Sequence, residues 1–411
     1  MNKILRNASI ISIATLITLS SILCISGCGT NDNSNSSNKS NNKITATEGF
    51  TIEQDDYAYQ PYWQSWSNSI CKTDDGYYIY KNNFLYYMDN NTNETIPLCN
   101  KVDCDHTGRD CNSYLNNDYT YSISSYNNNL YMFKRNESND VMLIQYKSDG
   151  SGDYTELFKI GEYSKESDDI SCWSIVFNND KCYIYNYYPY NEQSKPVITE
   201  YSLDGKESKV VSLDGMVGEN LTLASVKSYG NKIFYCLQAM IMDLDTKFAP
   251  ADEYTGIFVY DINTHNTMQL FKGNNIRDFA VNEEDNTIYY FVTGEGLKMS
   301  SLNEPDKDAS TILECSNTVD CTNISYDGDN LYMDNIFWSN LTGTSPTLWI
   351  FDNTGKEINN LDFSNYIGNP RPQYGDKNKL FIGTDIVVDK ADIKSLTISD
   401  LNNIAKENGI E

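Results

Sequence analysis

The sequence predicts an all-β fold, a seven-bladed β-propeller whose blades are four-stranded antiparallel sheets. Three observations support this prediction. A strand motif recurs seven times, each copy follows a turn of Asp, Asn or Gly, and the 411 residues include 32 Tyr and 15 Phe. Aromatic and β-branched residues favour strands, and a unit that repeats about every 50 residues is typical of propellers. The ends of the array are less regular, which leaves six or eight blades as alternatives.

The repeated motif is a short strand that is apolar on both faces. Such strands are expected where each sheet is covered by a neighbouring sheet on either side. The turns before them contain residues that tolerate the positive φ of tight hairpins. The seven copies occupy residues 77–80, 130–133, 182–185, 233–236, 288–291, 331–333 and 380–382.

The connections from the second to the third strand, at 186–195, 239–254 and 334–346, are longer than the other two turns within a blade. In a meandering blade these loops and the blade-to-blade crossings emerge on one face. Variable loops on a rigid scaffold are where binding residues usually lie, so we expect a partner to bind on that face. Residues 44–59 are a candidate extra strand for the last blade, and 399–411 predict a short C-terminal helix.

The N-terminus predicts export and lipid anchoring. Lys3 and Arg6 precede an apolar run at 10–25 that is shorter than a membrane span, and Ile-Ser-Gly-Cys ends at Cys28. This order indicates a signal peptide over 1–27. It resembles a bacterial lipobox, which implies cleavage before Cys28 and diacylglycerol on its sulfur, while an ordinary secretory signal is the alternative. The Asn/Ser-rich segment 28–43 predicts a disordered tether, and 44–411 form the propeller domain.

The net charge is −26. Nucleic-acid binding needs a basic surface, so this composition argues against it, and also against binding of anionic lipid by the domain itself. The membrane contact is therefore expected through the lipid anchor alone, on the extracellular face of the cell membrane. We expect the chain to be a monomer.

The sharpest local motif is a Cys/His cluster after the first blade, formed by Cys99, Cys104, His106 and Cys111. Three thiols and one imidazole within 13 residues can close a tetrahedral site suited to structural zinc. Outside the cell the same cysteines can form disulfides or stay as thiols, and these alternatives remain open. The near-repeat from Cys315 to Cys321 has no His and no third Cys, which suggests a small disulfide loop there.

Two aromatic clusters are candidates for stacking on sugar rings. The residues concerned are Trp63, Trp66, Tyr187, Tyr188 and Tyr190. With tyrosine so abundant, packing in the core or between blades is the alternative for all five.

Known catalytic motifs are missing: the sequence has no H-E-x-x-H, no G-x-S-x-G and no P-loop. With 57 Asp and Glu, the sequence always permits some pair of carboxylates suited to glycoside hydrolysis. The sequence thus favours a non-catalytic binding or scaffold module for a glycan or protein ligand. The alternative is an extracellular carbohydrate-active enzyme that uses an Asp/Glu pair on the loop-rich face.

Three motifs together resemble a group of proteins: Asp-Gly-Tyr-Tyr-Ile-Tyr at 75–80, the segment 98–106 with Cys111 and Asn112, and Tyr-Lys-Ser-Asp-Gly at 146–150. Over roughly residues 60–400 the chain resembles uncharacterised β-propeller lipoproteins of Gram-positive anaerobes. Their domain of unknown function is similar to the YWTD propeller of low-density lipoprotein receptors. The resemblance implies the fold and the surface location. The YWTD tetrapeptide is absent here, so receptor-type ligand binding is not implied.

Overall fold

The structure is a computed structural model, and it describes residues 69–410 apart from short stretches. The stretches left out are 117, 163–172, 179, 187–196, 207, 212–220, 240–254, 274, 306, 308 and 317–318. Residues 1–68 and 411 also lie outside the described residues. The signal peptide, the tether and the candidate strand 44–59 therefore stay predictions.

The described chain forms seven antiparallel sheets, one for each predicted blade. Blade 1 holds β1 (Ile70–Lys72), β2 (Gly76–Lys81), β3 (Phe84–Asp89) and β4 (Thr95–Pro97). Blade 2 holds β5 (Tyr119–Tyr126), β6 (Asn129–Arg135), β7 (Asp140–Tyr146) and β8 (Tyr154–Glu162). Blade 3 holds β9 (Trp173–Asn178), β10 (Lys181–Asn186), β11 (Ile198–Ser202) and β12 (Ser208–Val211). Blade 4 holds β13 (Leu221–Tyr229), β14 (Lys232–Ala239), β15 (Gly256–Asp261) and β16 (Asn266–Lys272).

The remaining three blades follow the same plan. Blade 5 holds β17 (Ile276–Asn282), β18 (Thr287–Val292), β19 (Gly296–Ser301) and β20 (Ser310–Leu313). Blade 6 holds β21 (Asn323–Tyr326), β22 (Asn330–Asp334), β23 (Thr347–Asp352) and β24 (Glu357–Asp362). Blade 7 has three strands in the described part of the chain: β25 (Pro372–Gly375), β26 (Lys379–Ile382) and β27 (Ile386–Asp389).

The strands of each blade lie in chain order, and at six of the seven blade junctions, including the one between blade 7 and blade 1, the first strands lie beside each other. The first strands therefore form the inner wall of a ring, which confirms the seven-bladed β-propeller. The repeated motif is the second strand of every blade, and its residues are buried because a neighbouring blade covers each face. Aromatic pairs fill these contacts, with ring centroids 4.8 Å apart for Tyr131 and Phe177 and 6.2 Å apart for Phe234 and Phe279.

The turns between first and second strands contain a residue at positive φ in blades 2 to 6, as their sequences predict, but those of blades 1 and 7 do not. Asn128, Asp180 and Asn286 adopt φ values of 59°, 57° and 52°. Gly76 does not have a positive φ. Glycine is needed at this position for a steric reason, because a Cβ there would lie 2.4 Å from the carbonyl oxygen of Met88.

The ring closes between blade 7 and blade 1 through side chains. The Tyr77 ring packs 5.0 Å from that of Phe381, and its hydroxyl donates to Asp376 at 2.7 Å. Lys72 forms a 2.7 Å ion pair with the same carboxylate. Burial opposes ionisation of Asp376, but the hydrogen bond and charge of Lys72 outweigh it and lower the pKa. The closure therefore depends on an ionised Asp376.

Two α-helices and two 3₁₀-helices complete the described fold. They are α1 (Ile336–Thr342), α2 (Ile398–Glu407), Phe363–Asn365 and Lys390–Asp392. The C-terminal helix α2 confirms the sequence prediction. It begins with a capping box between Thr397 and Asp400, and Leu401 and Ala405 are buried in the core shared by blades 6 and 7. Neither α-helix is long and apolar enough to cross a membrane.

Candidate metal centre

The Cys/His cluster lies in a loop inserted into the outer strand of blade 1. The Leu98 amide donates to the Leu85 carbonyl at 2.8 Å, and the Leu85 amide donates to Ser113, also at 2.8 Å. The chain thus leaves the edge of β3 after Leu98 and returns to it at Ser113. Residues 99–112, here named the Cys/His loop, form an excursion between two halves of one strand.

The structure brings all four predicted ligands together. The side-chain ligand atoms of Cys99, Cys104, His106 and Cys111 lie within 4.8 Å of one another. Nδ1 of His106 is 3.4 Å from Sγ of Cys111. Asp103 and His106 adopt positive φ values of 65° and 59°, which turn the short loop back on itself.

Hydrogen bonds to sulfur set the charge of the cluster. Burial opposes ionisation of Cys99, but bonds from the backbone amides of Lys101 and Asn112 and from the neighbouring thiols lower its pKa to about 7. At Cys104 the His106 amide favours the thiolate, yet desolvation and the other two thiols raise the pKa to about 11. Cys99 is therefore the more acidic of the two thiols and Cys104 the less acidic.

The Cys/His loop is fixed to the turn between β7 and β8 of blade 2. The Asn100 amide donates to Gly150 at 2.9 Å, and the Asn112 side chain donates to the same carbonyl at 3.0 Å. The Tyr146 hydroxyl donates to the Asn112 carbonyl at 3.0 Å. A Cβ at Gly150 would lie 2.9 Å from the Asn100 nitrogen, so only glycine allows this approach.

The donor set fits zinc. A tetrahedron with Zn–S bonds of about 2.3 Å has edges of about 3.8 Å, and no two of the four ligand atoms are more than 4.8 Å apart. Amide donors to Cys99 and Cys104, and Ser113 Oγ at 3.0 Å from Cys111 Sγ, suit thiolate ligands. Four protein ligands fill a tetrahedron, so this arrangement suits a structural ion.

The second cysteine pair lies in a different environment. Cys315 is half-buried, Cys321 is 2 % exposed, and both are free thiols in the structure. Burial raises the pKa of Cys315 to about 11 and that of Cys321 well above its ordinary value. The disulfide between them stays a prediction.

The other predicted site residues fall outside the described residues. These are the lipidation site Cys28 and the aromatic candidates Trp63, Trp66, Tyr187, Tyr188 and Tyr190. Their roles stay predictions.

Sequence reasoning missed a buried ion pair at the inner wall. Lys227 is fully buried, and its ammonium lies 3.4 Å from both oxygens of Asp278 and donates to the Ile324 carbonyl at 2.5 Å. The three residues belong to blades 4, 5 and 6. The only sequence signal is a lysine within the otherwise apolar and small residues of β13.

No protein-family model matches the chain, and no curated protein matches its sequence. Among solved structures, the tricorn protease is 11% identical with a TM-score of 0.45 over 74% of this chain, which spans 30% of the protease chain. A putative TolB from Agrobacterium tumefaciens is 11% identical, with a TM-score of 0.36 over 57% of this chain and 77% of that one. A chain of the Mitotic Checkpoint Complex is 8% identical, with a TM-score of 0.41 over 82% of this chain and 87% of that one. At these similarities no activity transfers to this chain.

Proposed function

We propose that this chain is a lipid-anchored protein of the outer face of the cell membrane, and that its propeller is a non-catalytic module for binding a glycan or protein partner. The closed ring supplies a rigid scaffold. Its second-to-third-strand loops and blade crossings supply the variable surface, as expected for binding sites on rigid folds.

The location of the carboxyl groups with a raised pKa is the observation that supports a non-catalytic role. In the described part of the chain, burial raises the pKa of Asp278, Asp327 and Asp334, for Asp334 to about 7. A raised pKa is what a catalytic acid needs. Each of these residues is at most 2 % exposed, however, and is enclosed within or between blades. A structural role accounts for them, which favours binding over hydrolysis.

We further propose that the Cys/His loop holds structural zinc through Cys99, Cys104, His106 and Cys111. When bound, the ion supplies a cross-link between positions 99 and 111. The loop amides and Ser113 orient the thiolates for it. Such an ion stabilises the excursion from blade 1 and its contact with blade 2.

The binding function is tested with the whole chain in detergent micelles, on glycan arrays and by cross-linking to cell-surface proteins. Saturable binding without turnover is expected. Turnover of a polysaccharide that a single Asp or Glu substitution abolishes would instead establish the carbohydrate-active enzyme. Anchoring is tested by palmitate labelling, which Cys28→Ser should abolish. A labelled Cys28→Ser chain would refute that assignment.

A further inference from the structure

A cavity of about 480 Å³ lies between blades 1 and 2, beside the Cys/His loop. It is lined by Arg109, Tyr114, Asn116, Asp118, Tyr119 and Lys134. Sites for small ligands typically enclose about 300–1,000 Å³. The cavity is therefore large enough for one or two sugar rings.

The cavity is basic in a strongly acidic protein. Its one carboxylate, Asp118, is already neutralised, because one oxygen accepts from the Arg135 guanidinium at 2.5 and 3.1 Å and the other from Asn116 at 3.0 Å. Arg109 and Lys134 form no ion pair with any described residue. Lys134 donates to the neutral Arg135 carbonyl at 3.4 Å, so the charges of Arg109 and Lys134 are not neutralised by a described carboxylate and make the cavity locally positive.

Tyrosine rings hold Lys134 in place and line the cavity. The Lys134 ammonium is 5.4 Å from the ring centre of Tyr119 and 5.2 Å from that of Tyr154. Tyr119 and Tyr154 pack edge to face, with centroids 6.3 Å apart. Tyr114 packs edge to face on Phe84 at 5.3 Å. The rings of Tyr114 and Tyr119 are thus fixed by their neighbours, with side chains that remain partly exposed.

This combination selects a ligand class. An arginine binds a carboxylate or phosphate through two parallel hydrogen bonds. A half-buried ammonium adds a second charged contact, and phenol rings offer apolar surface to the C–H faces of a sugar. Arg109 also lies between two of the metal ligands, His106 and Cys111. A bound ion would therefore fix the backbone that carries it.

We propose that this cavity binds an anionic saccharide, with Arg109 and Lys134 recognising its carboxylate or phosphate and Tyr114 and Tyr119 contacting its ring. Metal in the Cys/His loop holds Arg109 in position for this contact. The inference rests on the proposed binding function and names its ligand class and site.

The test is calorimetric titration of the whole chain with three probes: trigalacturonate, glucose 1-phosphate and uncharged maltotriose. At least one anionic probe should bind about tenfold tighter than maltotriose, the value of one good charged contact. Binding by trigalacturonate alone assigns a carboxylate sugar, and binding by glucose 1-phosphate alone assigns a sugar phosphate. Equal or absent binding of all three probes overturns the proposal.

Substitutions locate the site. Arg109→Gln and Lys134→Gln should each weaken binding of the anionic probe about tenfold. Lys307→Gln, at an exposed lysine on another blade, is the matched control and should bind as the unmodified chain does. Arg109 is exposed, so its variant should keep the thermal midpoint even if Lys134→Gln does not. Unchanged affinity in Arg109→Gln overturns the site.

Chelation tests the coupling to metal. Removal of the ion should weaken binding of the anionic probe, and added zinc should restore it. Binding that is insensitive to chelation refutes the coupling. If arrays find a ligand whose binding ignores Arg109→Gln, the binding function stands and this cavity proposal falls. If no ligand of any class binds, both fall.

Discussion

Two segments of this chain contain the tripeptide Val-Asp-Cys, and their chemistry differs because their burial differs. In the Cys/His loop, Val102 is 88% exposed. Sγ of Cys104 lies within 4.8 Å of two other thiol sulfurs and an imidazole nitrogen. In the segment 315–321, Cys321 is 2 % exposed and lies in the apolar core of blades 4 to 6. The same three residues thus form part of a candidate metal site in one place and of the hydrophobic core in the other.

The carboxylates of the two tripeptides also differ. Asp103 occupies a left-handed backbone position with φ of 65° that reverses the loop. Asp320 accepts a 3.1 Å hydrogen bond from Arg277 and a 3.0 Å bond from the Cys321 amide. One aspartate shapes a turn, and the other anchors a crossing between blades. The comparison shows that local sequence identity does not determine the role of a thiol.

The largest expected effect is on metal content. Cys104→Ser should lower zinc from about one ion per chain to less than a tenth, because a hydroxyl is a poor substitute for a thiolate ligand. Trypsin should then cleave faster at Lys101 and Arg109, which lie in the loop. Elemental analysis and limited proteolysis give both readouts.

Cys315→Ser is the control for that substitution, since Cys315 is also partly buried. It should keep the metal and the proteolysis pattern. Metal content below a tenth of an ion in the unmodified chain would contradict the zinc site altogether.

The next largest effect is on thiol reactivity after chelation. The thiolate is the reactive form, so alkylation of Cys99 should rise through about pH 7, while Cys315, with a pKa of about 11, should stay slow. Mass spectrometry of peptides alkylated between pH 6 and 9 measures both. Equal rates at the two cysteines would refute the difference in environment.

The same pKa predicts a pH dependence of stability in the metal-free chain. The pKa of Cys99 in the folded chain lies below its ordinary value of 9.0. The Cys99 thiolate therefore adds to the free energy of unfolding, and this stabilisation is fully present above pH 9. This stabilisation is lost as the pH falls through 7, because the thiolate is then protonated in the folded chain as well. Thermal midpoints of the unmodified chain should therefore fall between pH 9 and 7 more than those of Cys99→Ser. Identical pH profiles would contradict this assignment.

A smaller effect is expected at the turn that holds the Cys/His loop. Gly150 has φ of 77°, which costs alanine about 1–2 kcal/mol. A Cβ would also clash with Asn100, so Gly150→Ala should lower the free energy of unfolding by roughly 1–3 kcal/mol more. Gly343→Ala is the control, because Gly343 has φ of 69° with no atom within 4 Å of a Cβ. Equal denaturation midpoints for the two variants would show that the contact with Asn100 is unimportant.

The smallest effect is the loss of a single hydroxyl. Tyr146→Phe removes the hydrogen bond to the Asn112 carbonyl and should cost about 0.5–1.5 kcal/mol. Tyr289→Phe removes a similar 2.7 Å bond to the Asn353 carbonyl, far from the loop in sequence. Both variants should lose similar stability in urea, but only Tyr146→Phe should speed trypsin cleavage at Arg109. Faster cleavage in both would contradict a local role for Tyr146.

The fold was predictable because its signal is repeated. Seven apolar second strands with Asp, Asn or Gly turns leave little choice of architecture, and the segment 399–411 indicates the short C-terminal helix that the structure has as α2. The convergence of the four Cys/His ligands was also predictable, because all of them lie within one short stretch of sequence. Local information was sufficient for both.

The rest depends on contacts between residues far apart in sequence. Nothing near Gly150 indicates that Asn100 will pack on it, and nothing near Lys134 indicates that Arg109 will line the same cavity. The role of Lys227 also requires blades 5 and 6 to be in place around it. Sequence spacing within one blade carries no information about which side chains meet between blades.

The contact between blade 7 and blade 1 that closes the ring can form only late in synthesis of the chain. Tyr77 and Lys72 are completed by Asp376 and Phe381, about 300 residues later in the chain. Until those residues have been made, one apolar side of the first blade has no cover, and its lysine has no counterion. Contacts between residues so far apart in sequence form late and slowly. The nascent chain therefore exposes this apolar surface for most of its synthesis. A cell that makes this protein therefore needs a way to keep that surface covered, such as a chaperone, until synthesis is complete.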